Sequence, residues 1–176
     1  MFFYIYNMKK NLILILCFIT LSFYAQEEKR LALVIGNSNY DKGALKNPEN
    51  DANLISTTLK SLDFEVLLHL NIETSREMKI AISEFGEMRK NYDVGFVFYA
   101  GHGIQVDGEN YLIPTKEIIN TKYDVEDYGV SLQKILRFLK SEDPSSINFL
   151  ILDACRDNLF ELSWSRSAKG NGLAKI

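Results

Sequence analysis

Two residues whose side chains together can perform nucleophilic catalysis stand 53 positions apart in this chain of 176 residues, at positions 102 and 155. His102 lies between two glycines in the stretch FYAGHGIQVDG, and Cys155 ends the apolar run INFLILDAC. A free cysteine thiol has a pKa near ~8.5, so at neutral pH it needs a base to become the nucleophilic thiolate. An imidazole can take that proton and later give one to a leaving amine. The pair therefore predicts a cysteine nucleophile with a histidine base, provided that the fold brings them together.

The elements that must position this pair alternate between strands and helices. Continuous apolar runs indicate buried strands, and apolar residues that repeat every three or four positions indicate helices. We predict strands over 31–36, 64–70, 93–100 and 147–155, and a hairpin from 103–106 and 110–113. Three helices are predicted, each on one set of apolar residues: Ala52, Ile55, Leu59, Leu62; Met78, Ile82, Phe85, Met88; and Leu132, Ile135, Leu136, Leu139. This alternation predicts an α/β fold with a mostly parallel sheet that is covered on both faces.

Start signals support the first two helices. Asn47 is a candidate N-cap, and Pro48 suits a first helical turn. Thr74 and Glu77 have the spacing of a capping box, in which each satisfies a backbone N–H near the other. The helices are therefore predicted to begin near these residues.

The predicted strands place the reactive residues at one edge of the sheet. His102 follows the third strand and Cys155 follows the fourth. Open α/β sheets form their sites where parallel strands end, so the two residues can face each other if these strands are neighbours. The backbone N–H of Gly103, unhindered by a side chain, is a candidate donor to an oxyanion.

These stretches resemble the caspase-like cysteine peptidase superfamily, peptidase C14. FYAGHG and LDACRDN are similar to its histidine and cysteine motifs in order and spacing, and ALVIGNSNY with LKNPENDA resembles the opening strand and first loop of its bacterial, metacaspase-like branch. The resemblance covers residues 30–175, with Asp153 and Asp157 where the caspase signature has glutamine and glycine. It implies a three-layer sandwich around a mostly parallel central sheet.

The resemblance also implies a role for each candidate residue. His102 would be the general base, Cys155 the nucleophile, and the N–H groups of Gly103 and Cys155 the oxyanion donors. Asp51 and Asp153 match acidic positions that bind a basic P1 side chain, which implies cleavage of polypeptides after arginine or lysine. Asp51 has a simpler alternative, since a carboxylate early in a helix favours the helix dipole.

The C-terminal region departs from the pattern that the resemblance implies. The sequence ends at Ile176, before the last two of six expected strands, so the strand over 147–155 would be an unpaired apolar edge. A fragment of a longer protein and a second chain that supplies the missing strands are both open explanations. A non-catalytic caspase-like interaction module, an inactive fragment, and a flavodoxin-like ligand-binding domain remain as alternatives to a peptidase.

The first 25 residues have the pattern of an export signal. Lys9 and Lys10 precede an apolar run from Leu12 to Tyr24, and Ala25 is a small residue before a cleavage point. We predict a signal peptide over 1–25 and a catalytic domain over 26–176, with an uncleaved signal anchor as the alternative. The run is short for a membrane span of about 20 residues, so no stable membrane insertion is expected. Cleavage would change the net charge from -3 to -5, because it removes two lysines and no acidic residue.

Composition excludes other classes of function. A hydrophobic content of 47% with 24% charged residues is ordinary for a globular domain, and a net charge of -3 gives nucleic acid no basic surface. The stretch GNSNYDKG after the first strand has neither P-loop nor dinucleotide spacing. The two histidines and two cysteines are too far apart in sequence to form a metal set. No cofactor is therefore expected, and dependence on calcium is left open.

Overall fold

The structure, a computed structural model, describes residues 28–140 and 146–155, and of Cys155 it describes the backbone. The predicted export signal over residues 1–25 and the segment after Cys155 lie outside these ranges. Within the described ranges, no helix combines the length and the apolar character needed to cross a membrane.

The described chain alternates strands and helices around one sheet. The strands are β1 (Arg30–Gly36), β2 (Phe64–Leu70), β3 (Val94–Val106), β4 (Glu109–Leu112), β5 (Val130–Ser131) and β6 (Ile147–Cys155). The helices are α1 (Pro48–Ser61), α2 (Ser75–Arg89), α3 (Lys122–Tyr128) and α4 (Leu132–Leu139). Strands β2, β1, β3 and β6 lie side by side and run parallel. Strand β4 pairs antiparallel with the end of β3, and β5 pairs antiparallel with β4. The predicted α/β class with a mostly parallel sheet is confirmed.

Strands β1 and β3 are buried on both faces, as their uninterrupted apolar runs predict, whereas one face of β6 is exposed. Alternate residues of β1 divide between two cores: Leu31, Leu33 and Ile35 pack with α2 and α4, and Ala32 and Val34 pack with α1. A third, smaller cluster lies around β4 and the end of β3. These layers form the helix–sheet–helix sandwich that holds the site.

Strand β3 is longer than the sequence predicted. Residues 93–100 and 103–106 were predicted as two strands, but Val94–Val106 is one strand of 13 residues. Its partner on one side changes within the strand, since β1 pairs with it as far as Ala100 and β4 pairs with it from Gly103. His102 therefore lies inside β3, between the two pairings, and does not follow the end of the strand.

The predicted hairpin and capping box are confirmed. Asp107 and Gly108 both have positive φ, at 49° and 87°, as a two-residue turn of type I′ requires. The Thr74 side chain accepts from the Glu77 N–H, and the Glu77 carboxylate accepts from the Thr74 N–H. Asn47 occupies the N-cap position and Pro48 begins α1, as predicted, but the Asn47 side chain makes no cap hydrogen bond.

Candidate active site

The register between β3 and β6 brings the two candidate catalytic residues together along the backbone. β6 is a direct parallel neighbour of β3, and His102 is the Cα partner of Cys155 at the end of the ladder. This arrangement is the one that a His–Cys pair requires, because paired residues of neighbouring strands are close.

The imidazole of His102 is buried and held by the loop that follows β1. Its Nε2 lies 2.7 Å from the carbonyl oxygen of Gly43, and its ring centroid lies 4.2 Å from that of Tyr40. The residue is 5% exposed. Because a carbonyl oxygen only accepts hydrogen bonds, Nε2 carries a proton and Nδ1 of the neutral ring is the acceptor.

Burial also sets the protonation state of this ring. Removal from water lowers the pKa of His102 below its usual value of 6.5, and the smaller effect of the Gly43 hydrogen bond opposes this by raising it. The imidazole is therefore neutral at pH 7 and able to accept a proton, which is the state that a general base needs.

Two tyrosine hydroxyls hold the backbone on either side of this ring. The His102 N–H donates to Tyr40 Oη at 2.9 Å, and Tyr99 Oη donates to the His102 carbonyl at 2.7 Å. Complete burial raises the pKa of Tyr99 well above 10, so its hydroxyl keeps its proton. The two hydroxyls leave no room at the preceding residue, since a Cβ added to Gly101 would lie 2.7 Å from each.

Replacing Gly101 with alanine is therefore expected to destabilise the fold by about 2 kcal/mol, the typical cost of overpacking a buried site. Denaturant unfolding would measure this loss. Gly108→Asn is the matched control, because a Cβ there meets open space and asparagine tolerates positive φ. Equal unfolding free energies for the two variants would contradict the role given to the tyrosine hydroxyls.

The other predicted site residues lie on elements around this pair. Gly103 is buried and is the first residue of β3 that pairs with β4. Asp51 is half-buried in the first turn of α1, and Asp153 is exposed on β6, opposite Ala100 of β3. Ala52, the neighbour of Asp51, packs in the same core cluster as Ala100. The helix of Asp51 thus packs against the β3 residue that pairs with Asp153, and among the described residues no contact joins the two carboxylates.

Asn37 ties the carboxyl end of β1 to two other segments. This fully buried residue accepts from the Ile72 N–H at 3.0 Å and donates to the Ile113 carbonyl at 3.3 Å. Its backbone N–H donates to the Ala100 carbonyl. The start of the loop after β1 is therefore fixed to the middle of β3.

Asn71 fixes the same loop from the other side. Its Oδ1 accepts from the backbone N–H groups of Ser38 and Asn39, and its Nδ2 donates to Glu49 at 2.9 Å. Its φ of 54° is left-handed, a conformation that asparagine adopts more readily than most residues. The contact to Glu49 links this loop to the first turn of α1, which carries Asp51.

A cavity of about 70 Å³ adjoins His102, between the loop after β1 and the segment that follows β4. Tyr40, Lys42, Lys116 and Ile118 are among the residues that line it. No three His, Cys, Asp or Glu side chains within residues 28–140 and 146–154 come together in a way that could hold a metal ion.

Sequence reasoning missed the residues that hold the base. Tyr40, Gly43 and Tyr99 contact His102, and none of them was predicted to belong to the site. A signal was present for two of them, since an aromatic residue and a glycine lie in the loop directly after an apolar strand of an α/β sheet, where sites form. Their contacts with His102 span about 60 positions, and no local pattern reveals such pairs.

Comparison with known proteins identifies the family of this chain. Residues 29–173 match the Caspase domain family of peptidase C14. The chain therefore belongs to the caspase family, a family of cysteine peptidases. It is 32% identical over 128 residues to human (Homo sapiens) "Mucosa-associated lymphoid tissue lymphoma translocation protein 1", an alignment that covers 72% of this chain and 15% of that protein.

Two further similarities concern a second sequence and a solved structure. The chain is 38% identical over 79 residues to zebrafish (Danio rerio) "Caspase a", covering 43% of this chain and 20% of that protein. The crystal structure of the Drosophila initiator caspase Dronc matches with a TM-score of 0.50 at 15% identity, over 71% of this chain and 47% of that chain. This structural likeness shows the caspase-like fold. The chain spans less than a quarter of the length of either sequence relative named here.

Proposed function

We propose that this protein is a cysteine endopeptidase of the metacaspase-like type, in which Cys155 is the nucleophile and His102 the general base. The observation that carries the proposal is the backbone pairing of these two residues, together with a buried imidazole whose Nε2 is already engaged. Nδ1 is then the free acceptor on the ring.

In the proposed reaction Nδ1 first accepts a proton and later donates it. Nδ1 of His102 takes the thiol proton, and the resulting thiolate attacks the carbonyl carbon of the scissile peptide bond. Backbone N–H groups of Gly103 and Cys155 would stabilise the negative charge on the carbonyl oxygen. The imidazolium then protonates the amine as the C–N bond breaks, and water hydrolyses the thioester, which releases the acid and restores the thiol.

We propose arginine or lysine as the P1 residue, with Asp51 and Asp153 as its carboxylate partners. The support is the resemblance of both positions to acidic pocket positions, together with the packing of Ala52, the neighbour of Asp51, in the same cluster as Ala100, the β3 partner of Asp153. A cationic side chain between two carboxylates gains charge-assisted hydrogen bonds, each worth roughly 1.5–3 kcal/mol.

Neutralising one pocket acid should therefore weaken cleavage after basic residues. We expect Asp51→Asn and Asp153→Asn each to lower kcat/KM for an arginine-terminated fluorogenic peptide by about 10- to 100-fold, the equivalent of one charged hydrogen bond. Asp127→Asn is the matched control, because Asp127 is an exposed acid on α3. Peptides that end in arginine, lysine and aspartate would be compared, each against Cys155→Ala.

Each other result of this assay has a distinct meaning. A preference for aspartate would contradict the pocket assignment but not the peptidase. Cleavage that persists in Cys155→Ala would contradict the nucleophile. No cleavage of any peptide would favour the second candidate, a non-catalytic interaction module.

The second candidate is favoured by the surface of β6. Ile147, Phe149 and Ile151 alternate along this strand and are 49%, 48% and 44% exposed. Among the described residues β6 pairs with β3 alone, so its other edge can accept a further strand. In an interaction module this edge would bind a strand of a second chain. In the peptidase we propose that the same edge receives a strand from the polypeptide beyond Cys155 or from a second chain, which completes the substrate pocket.

A further inference from the structure

We propose that Tyr40 is a positioning residue for His102. The Tyr40 side chain holds both the backbone and the ring of His102, and so keeps Nδ1 of that ring as the proton acceptor. This inference rests on the proposed role of His102 as general base. It concerns a residue that contacts the base and acts on substrate only through it.

The first contact fixes the backbone of His102 at a gap in the sheet. β1 pairs with β3 as far as Ala100, and β4 begins to pair at Gly103. Between these pairings the His102 carbonyl accepts from the Ile113 N–H at 3.1 Å, but neither strand supplies an acceptor for the His102 N–H. The Tyr40 hydroxyl fills this gap by accepting the His102 N–H at 2.9 Å, and it donates to the Ile113 carbonyl at 2.9 Å. Without this acceptor the buried N–H would have no hydrogen-bond partner, which is unfavourable.

The second contact fixes the ring. The Tyr40 and His102 rings are tilted by 55° at a centroid distance of 4.2 Å, so Tyr40 covers one side of the imidazole. Three residues further along, the Gly43 carbonyl accepts from Nε2. Because Tyr40 and Gly43 belong to the same short loop, the position of Tyr40 also determines whether that carbonyl reaches the ring.

The other groups around His102 are not seen to hold its ring, so we assign the position of the ring to Tyr40 and its loop. Tyr99 reaches the carbonyl of His102, and Cys155 is its backbone partner on β6. The charged residues that line the adjoining cavity are Asp41, Lys42, Lys116 and Glu117. Of these, Lys116 and Asp41 form an ion pair at 2.5 Å, Glu117 accepts from the Ser75 N–H, and Lys42 is exposed.

The test is nuclear magnetic resonance of the histidine side chains, which the sequence makes simple because the protein has two histidines. With ¹⁵N-labelled histidine, the ring nitrogens report tautomer and pKa directly. In the wild type we expect the Nε2-protonated tautomer for His102. In Tyr40→Ala we expect its pKa to rise toward 6.5 and the two tautomers to mix, because the ring loses its cover.

Two more variants separate positioning from general stability. Tyr40→Phe keeps the ring but removes the acceptor, and we expect the His102 amide hydrogen to exchange about fivefold faster, as for the loss of one hydrogen bond of ~1 kcal/mol. Tyr99→Phe removes an equally buried hydroxyl that contacts the His102 carbonyl, and it should leave the tautomer and pKa of the ring unchanged. His69 serves as an internal reference in every spectrum.

The inference is overturned if Tyr40→Ala leaves the tautomer and pKa of His102 unchanged, or if Tyr99→Phe shifts them as much. Should Tyr40→Ala fail to fold, unchanged exchange of the His102 amide in Tyr40→Phe overturns it equally. These readouts need no substrate. Absence of peptide cleavage therefore contradicts the proposed function, whereas an unaltered imidazole contradicts this inference alone.

Discussion

Replacing His102 with alanine is expected to lower kcat/KM for an arginine-terminated peptide by about a thousandfold. A positioned general base contributes roughly 10²- to 10⁴-fold, and without it the Cys155 thiol stays largely protonated at neutral pH. The measurement is the initial rate of fluorogenic cleavage by the wild type and the variant. His69→Ala is the matched control, since His69 lies on β2, separated from β3 by β1.

The pH dependence gives an independent check on the same residue. Burial lowers the pKa of His102, so the neutral, proton-accepting form persists to a pH below 6.5. Activity should rise with pH through that lowered pKa and be lost as the pH falls below it. An acidic limb at or above pH 6.5, or equal losses in His102→Ala and His69→Ala, would exclude His102 as the base.

Arg89→Ala is expected to give the largest loss of stability, about 3–5 kcal/mol, because it leaves several partly buried oxygen acceptors without their donor, at roughly 1–3 kcal/mol for each that stays unsatisfied. Arg89 ends α2 and is 6% exposed. Its guanidinium donates to the side chains of Asn148 and Ser146 and to the carbonyls of Tyr92, Asp93 and Ile147. These acceptors precede β3 or begin β6, so one side chain joins the amino ends of both strands that carry the candidate catalytic pair.

Denaturant unfolding would measure this loss against two other variants. Arg76→Ala removes an exposed arginine from the same helix and should change the unfolding free energy by less than about 0.5 kcal/mol. Arg89→Lys keeps the charge but lacks the planar fork that reaches several acceptors, so it should restore a minor part of the stability. Equal stability of Arg89→Ala and Arg76→Ala would show that the hydrogen bonds of Arg89 are unimportant.

Local patterns predicted most of the sheet. β2 and β6 have the predicted bounds, because their apolar runs end at clear turn signals. β3 was divided wrongly at Gly101 and Gly103. Glycine normally interrupts a strand, but here Gly101 makes room for two tyrosine hydroxyls, which no sequence pattern shows. The short helix α3 was not predicted, since seven residues carry too little periodicity.

Sequence motifs predicted the two candidate catalytic residues but not the contacts that hold them. His102 and Cys155 follow from residue type and spacing, and the pairing of β3 with β6 makes them partners. The hydrogen bond from Nε2 to Gly43 was not predicted, because the partner is a backbone carbonyl. Any residue supplies such a carbonyl, so the type of residue 43 carries no signal for it.

The loop over 37–47 has a consequence for how variants of this protein should be interpreted. Its middle holds the imidazole through Tyr40 and Gly43, and its end leads into the turn of α1 that carries Asp51. The same eleven-residue loop thus positions both the proposed base and one proposed substrate-binding carboxylate. A substitution that displaces this loop moves His102 and Asp51 together, so its effects on kcat and on KM will be correlated. Independent adjustment of rate and substrate preference must come from β6, where Asp153 lies on a different element.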